Sequence, residues 1–336
     1  MATGEFDLIR RFREILPEPP GDLVIGPGDD CAAFDGGDGR LWLMTCDALV
    51  DGRHFRLNRI DPVTLGRRLA AVNLSDIAAM GGAPRFALVS LVLPDGFDES
   101  ASEAMVRGVA NELGRHGACI AGGNLSGGDL LVADMTLVGE VGSGEVVRRS
   151  GAREGDAILV TGRPGSSAAG LAIMEFDGDT TRFADLVRAH TEPGARVEAG
   201  RAIASSGLAT AMIDLSDGLL ADLGHLCTAS GTGAEIRTDA FEIDDALREA
   251  AVFTEIDPLR WVLSGGEDYE LLFTAPKEAA EELLTIAAKA GDCPVTEIGT
   301  ITSGENGIRC LDDHGVDVTP DGGGWDHFEK DNIKGT

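Results

Sequence analysis

Lysine is scarce in this 336-residue chain and absent from its first 276 positions: Lys277, Lys289, Lys330 and Lys334 are the whole complement. Any phosphate handled before that point must be neutralised by Arg, by backbone N–H groups or by metal ions. No GxxxxGK[ST] stretch exists; "GRPGSSAAG" (162–170) has glycines without a Lys and reads as a tight strand-to-helix turn. Protein-kinase loop signatures and GxSxG are missing too, which removes those two catalytic designs. The six cysteines, Cys31, Cys46, Cys119, Cys227, Cys293 and Cys310, show no CxxC spacing. That argues against a zinc site or a disulfide framework and fits small buried groups in a reducing compartment. No apolar run is long enough to span a bilayer and no secretory h-region opens the chain, so the expectation is a cytoplasmic protein with no membrane partner.

Positive charge is short overall: 28 Lys and Arg face 57 Asp and Glu, a formal charge of −29. That balance opposes nucleic acid and anionic lipid as partners and favours a cationic one. A hydrophobic content of 43% over this length suffices for two domains, each with its own core.

Apolar segments alternate with turns. A helix is expected over 5–16, a strand at "LWLMTCDALV", a helix at "LGRRLAAVNLSDIAAMG", a strand at "ALVSLVLP", a helix over 99–116, then strands at "ACIAGG" and "LLVADMTLVGEV". Polar turns around "RRSGAREGDAILVTG" put a boundary near 145–155, so the expected domains are residues 1–148 and 149–336. The second half continues with a strand at "AILVTG", helices from Ser166 and Arg196, and strand, turn and helix across "TAMIDLSDGLLADLGHLC". "NLSDIAAM" and "DLSDGLLADL" both set Leu-Ser-Asp at an expected helix start, an echo too short for a repeat. The expected fold class is therefore two α/β domains, with a Gly-rich tail expected to be loosely held after Phe328.

Asp29 and Asp30 in "IGPGDDCAAF", Asp47 in "MTCDALV", Asp76 in "NLSD", Asp214 and Asp217 in "IDLSDG", and Glu267 and Asp268 in "SGGEDYE" fall at expected strand ends or helix starts. In an α/β layer structure such positions gather on one edge. Taken singly, each is an ordinary turn or cap residue. Taken together they repel, by roughly 4 kcal/mol per pair in contact at surface dielectric. A hard divalent cation offsets that and keeps positions for phosphate oxygens. Gly122-Gly123 lets backbone N–H groups approach a phosphate, and Arg148 and Arg149 form a candidate clamp whose alternative is a solvated hairpin end. These parts suit phosphoryl transfer, which asks for in-line positioning and cations on the transferring oxygens.

With "GEFDLI", "GPGDDCA", "TCDALVDGRHF", "AVNLSDIAAMGG", "RSGAREGD", "IDLSDGL", "SGGEDYEL" and "GWDHF" in order, the chain closely resembles the thiamine-monophosphate kinase family over residues 4–328. That family is a branch of the aminoimidazole ribonucleotide synthetase superfamily and converts thiamine monophosphate and ATP to thiamine diphosphate and ADP. The resemblance implies several Mg²⁺ ions at Asp30, Thr45, Asp47, Asp76, Asp214 and Asp217, with Asp29 adjoining them; Asp30, Asp47 and Asp217 are the expected catalytic carboxylates. It implies ATP contacts at Gly122, Gly123, Arg149 and Ser216, and thiamine-phosphate contacts at His54, Glu267 and Trp325. A cationic thiazolium is well served by an aromatic face and a carboxylate.

Two positions depart from the family pattern. Cys46 stands where a hydroxyl residue is usual, and Asn124 where an Asp is usual, so any metal position there has a softer or uncharged donor. The resemblance also implies an N-terminal ATP- and Mg²⁺-binding domain whose sheet pairs with its twin in a barrel-like homodimer core, and a C-terminal domain facing it across an ATP cleft. The alternatives are a sister reaction (amidine cyclisation, or selenophosphate synthesis, which the missing early Lys disfavours) and a non-catalytic acidic cation-binding protein. Nucleotide binding that requires Mg²⁺ separates the last of these from the kinase.

Overall fold

Asp61 and Pro62 open the helix around which the molecule is built. The Asp61 side chain accepts from the N–H groups of Val63 and Thr64 at 3.0 and 3.1 Å, and Pro62 stands in the first turn, where its missing N–H is no loss. A computed structural model describes residues 5–176 and 178–320. Its first half comprises α1 (Glu5–Ile15), β1 (Leu23–Ile25), β2 (Ala32–Asp35), β3 (Arg40–Val50), α2 (Pro62–Ala79), β4 (Ala83–Pro94), α3 (Glu99–Arg115), β5 (Cys119–Gly128) and β6 (Val132–Gly142). The second comprises β7 (Ala157–Thr161), α4 (Ser166–Glu175), α5 (Ala184–Thr191), α6 (Val197–Ser206), β8 (Ala211–Asp214), α7 (Leu219–Ser230), β9 (Thr232–Arg237), α8 (Asp245–Thr254), α9 (Pro258–Ser264), β10 (Leu271–Ala275), α10 (Ala280–Gly291), β11 (Val295–Ser303) and β12 (Ile308–Leu311).

Each half contributes one six-stranded mixed sheet, ordered β1-β2-β3-β6-β4-β5 and β12-β9-β11-β7-β10-β8. Pairing is antiparallel except for β4 with β5 and β9 with β12. The two α/β domains are as expected, but among the described residues neither sheet closes into a barrel. Along β3 the side chains alternate: Leu41, Leu43, Thr45 and Leu49 are buried, while Trp42, Met44 and Cys46 face out. The outer face of this sheet leaves Trp42, Met44, Phe86 and Leu88 exposed.

Helix α2 is the seam between the halves. It is buried almost all round, as an apolar helix between two layers must be. One core cluster joins Leu43, Leu74, Ile77 and Met135 of the first half to Leu159, Ile203, Phe273 and Leu283 of the second. Glycines permit the close crossings. A Cβ at Gly66 of α2 would meet the Met105 carbonyl oxygen of α3 at 1.9 Å, and one at Gly200 of α6 would meet the Ala78 oxygen of α2 at 2.1 Å.

The seam also corrects two expectations. Asp76 lies in the last turn of α2, not at a helix start, because the helix begins at Asp61-Pro62 and runs through "NLSD" without a break. Asp47 lies inside β3, not at a strand end.

Candidate active site

A cavity of about 510 Å³ opens where α2, β3 and the end of β8 meet, lined by Asp30, Thr45, Asp47, Asp76, Arg149, Asp214, Ser216 and Asp217, and by His54 and Glu267. Carboxylate oxygens of Asp30, Asp76 and Asp214 lie within 4.8 Å of one another. Each is oriented by a different element. Arg149 donates to Asp30 Oδ1 through Nε (3.1 Å) and Nη2 (2.5 Å), Thr45 Oγ1 donates to Asp76 Oδ2, and Ser75 Oγ donates to Asp214 Oδ2 at 2.7 Å. The backbone N–H of Arg149 donates to Asp29 Oδ1 at 3.0 Å, so both carboxylates of the GPGDD turn hold the same residue.

Burial of like charges without water raises the carboxyl pKa values. Asp214 is pushed up to about 7 by burial and then by Asp30; Asp76 goes well above the usual range through burial, Asp47, Asp214 and Asp30. Burial raises Asp30 despite Arg149, and lifts Asp29 to about 6. Asp30 Oδ2 is buried and has no hydrogen-bond partner among the described residues. An orphaned carboxylate oxygen facing two more carboxylates fits a hard cation, for which oxygen donors in this number are the normal set.

Asp217 follows in the turn after β8. The N–H groups of Asp217 and Gly218 donate to Asp222 Oδ2, both at 3.1 Å, and Gly218 takes φ +116°, a conformation that favours glycine. Ser216 gives its carbonyl oxygen to the Glu267 N–H at 2.8 Å, which ties this turn to the "SGGEDYE" segment. There Glu267 and Tyr269 have φ +66° and +52°, left-handed positions that non-glycine residues enter only when the surroundings enforce them. Backbone bonds to the turn after β8 hold both, Glu267 N–H to the Ser216 oxygen and Tyr269 N–H to the Leu215 oxygen, each at 2.8 Å, while Arg68, 1% exposed, donates to Glu267 Oε1 and lies 3.2 Å from His190 Nε2. Burial raises the Glu267 pKa, but Arg68 and then His190 outweigh it and the net direction is down. Asp268, pushed up to about 8 by burial, accepts from Gly165 and Ser167 N–H groups (2.7 and 3.1 Å) and so caps α4. It serves the fold, as its structural reading allows.

The remaining residues divide. His54 Nδ1 accepts the Val50 N–H at 3.0 Å, which puts the proton of the neutral ring on Nε2. Cys46 lines the cavity but its Sγ engages Asp134 Oδ2 at 3.4 Å on the outer face, away from the Asp30–Asp76–Asp214 group. Gly122, Gly123 and Asn124 lie on edge strand β5, outside the cavity lining. Gly123 has a packing reason of its own: a Cβ there would meet the Val89 carbonyl oxygen at 1.8 Å. Trp325 lies outside the described residues. Arg68 and His190 escape sequence reasoning, although Arg68 does leave a trace, a charge on the apolar stripe of Leu65, Leu69 and Val72.

Two family models match the chain, the AIR synthase related protein N-terminal domain over residues 28–141 and the C-terminal domain over 153–310. The thiamine-monophosphate kinase of Salmonella typhimurium is 39% identical over 331 residues, 98% of this chain and 99% of that protein. The chain belongs to the thiamine-monophosphate kinase family. Among solved structures of that family, AaThiL complexed with AMPPCP and TMP superposes with a TM-score of 0.84 at 34% identity, covering 97% of each chain. Thiamine-monophosphate kinase from Aquifex aeolicus gives 0.76 at 32% identity, covering 94% of this chain and 97% of the other. Family membership makes the chain a kinase and removes the non-catalytic reading.

Proposed function

We propose that this chain transfers the γ-phosphoryl group of ATP to the phosphate of thiamine monophosphate, giving thiamine diphosphate and ADP. The observation that carries the reading is the likeness to AaThiL, complexed with an ATP analogue and TMP, over nearly the whole chain, together with a carboxylate cluster suited to a phosphate-handling cation. An acceptor oxygen bonds to the γ-phosphorus as the bond to the β–γ bridging oxygen breaks, and ADP leaves with that electron pair. The acceptor phosphate, with a second pKa of about 6, is already mostly dianionic at neutral pH, so no general base is needed. The site must instead position two anions and neutralise them.

Asp30, Asp47, Asp76, Asp214 and Asp217 are the residues that would hold Mg²⁺, and Asp29 would support Asp30 through Arg149. Magnesium, when bound, supplies positive charge at the transferring oxygens. Thr45, Ser75 and Arg149 hold the rotamers of Asp76, Asp214 and Asp30, so little reorganisation of these three remains at the moment of transfer. Arg149 and Ser216 are assigned to ATP, and His54 and Glu267 to the thiamine moiety; a carboxylate kept ionised by Arg68 suits a cationic thiazolium. The division at 148/149 falls between the two matched family domains, which supports it as the domain boundary.

A homodimer completes the proposal. Trp42, Met44, Phe86 and Leu88 form an exposed apolar face on the first sheet, and Gly122 and Asn124 pair with Leu88 and Ser90 at its edge. A second copy packed there would cover this face and form the barrel-like core. The reaction reading is tested by ADP release from purified protein: it should require both Mg²⁺ and thiamine monophosphate, and ADP release indifferent to the acceptor would refute it.

A further inference from the structure

A second cavity of about 270 Å³ adjoins the first, and the two share Arg53, His54, Leu171 and Glu267. The junction therefore carries one guanidinium and one carboxylate on opposite chain segments. The neighbouring arginines are engaged: Arg68 with Glu267, Arg149 with Asp30, Arg59 with the Met174 carbonyl oxygen, and Arg56 with Glu175 at 3.8 Å. The Arg53 side chain has no hydrogen bond or ion pair among the described residues. Its backbone is fixed all the same. Its N–H donates to the Val50 oxygen at 3.1 Å, and the Gly52 N–H donates to Phe55 oxygen at 2.8 Å, which closes the turn from which Arg53 projects.

Resting on the reading above, we propose that Arg53 binds the phosphate of the acceptor and so selects a phosphorylated thiamine over the free alcohol. Thiamine monophosphate is a zwitterion, with a thiazolium cation at one end and a phosphate at the other. The junction offers the matching pair, Glu267 for the ring and Arg53 for the phosphate. A phosphate lodged at Arg53 also borders the larger cavity, where it faces the carboxylate cluster and the nucleotide assigned to it. Without a cation on this side, the acidic lining would repel the acceptor. A guanidinium fills that need well, because it stays charged and presents paired N–H groups to phosphate oxygens.

The test is steady-state kinetics of wild type, Arg53→Met and Arg53→Lys with Mg²⁺-ATP, thiamine monophosphate as acceptor and thiamine as competing ligand. Loss of one charged hydrogen-bond donor should raise the KM for thiamine monophosphate about 10- to 100-fold in Arg53→Met. The KM for ATP and the inhibition constant of thiamine should stay within about twofold, and Arg53→Lys should recover part of the loss. An unchanged acceptor KM, or an ATP KM that rises in the same proportion, overturns the role of Arg53 and leaves the kinase reading intact. A wild-type protein that forms no thiamine diphosphate overturns both.

Discussion

Asp214 shares a space of 4.8 Å with Asp30 and Asp76, and burial with the Asp30 charge lifts its pKa to about 7. A metal-free fold bears that repulsion as a loss of stability. Asp214→Asn keeps an oxygen for the Ser75 hydroxyl and removes the charge, so we expect the variant to be roughly 1–3 kcal/mol more stable than wild type in chelator, below the contact-pair figure. It should lose stabilisation by Mg²⁺ and turnover with it; urea unfolding with and without Mg²⁺ measures both, and a less stable metal-free variant would contradict the account. His190 gives the pH dependence. Burial and Arg68 lower its pKa from 6.5 to about 4, with Glu267 opposing. Between those values the unfolded chain takes a proton that the folded chain refuses, so stability falls as pH drops through that window. Relative to His190→Gln, wild type should therefore lose stability as pH falls from about 7 to about 4, whereas parallel curves would mean that His190 does not titrate this way. Asp30 and Asp214 are legible in the sequence from the turns beside them, and Asp76 from its Leu-Ser-Asp motif, although that motif misplaces it within α2. Arg68 is not, since its carboxylate lies 199 residues away.

At the scale of elements, α2 explains why single glycines matter. Gly66 and Gly114 are both helical, yet a Cβ at Gly66 would strike the Met105 oxygen at 1.9 Å while, its own helix aside, nothing among the described residues lies within 4 Å of one at Gly114. Gly114→Ala should stabilise by about 0.5–1 kcal/mol through helix propensity. Gly66→Ala should destabilise by about 1–3 kcal/mol despite the same propensity gain, because two helix backbones must part. Urea midpoints compare the pair directly, and equal shifts would refute the close crossing. The helix itself is readable from its apolar pattern, and the Asp61-Pro62 start from capping chemistry. The position of Asp76 is not read correctly, because Leu-Ser-Asp looks like a start wherever it occurs, and only the register counted from Pro62 places it in the last turn. Strand order is hidden for a related reason: pairs such as Met44 with Val138 join segments whose local periodicity says nothing about each other.

At the scale of the whole molecule, two α/β domains follow from the alternation of apolar segments, while the largely antiparallel pairing of both mixed sheets and the seam at α2 depend on long-range contacts. The exposed face around Leu88 bears on assembly. Leu88→Glu should convert a dimer to a monomer in analytical ultracentrifugation with the fold retained, and a variant that sediments like a dimeric wild type would move the interface elsewhere. The formal charge of −29 sets the setting for the proposed chemistry: on that reading, an acidic protein without early lysines brings two phosphates together with arginines and bound cations. Phosphorus NMR of the purified protein with ATP, Mg²⁺ and thiamine monophosphate tests that claim most directly. Thiamine diphosphate resonances should grow in step with those of ADP. ATP that stays intact, or that falls to ADP and inorganic phosphate with no thiamine diphosphate formed, would contradict it.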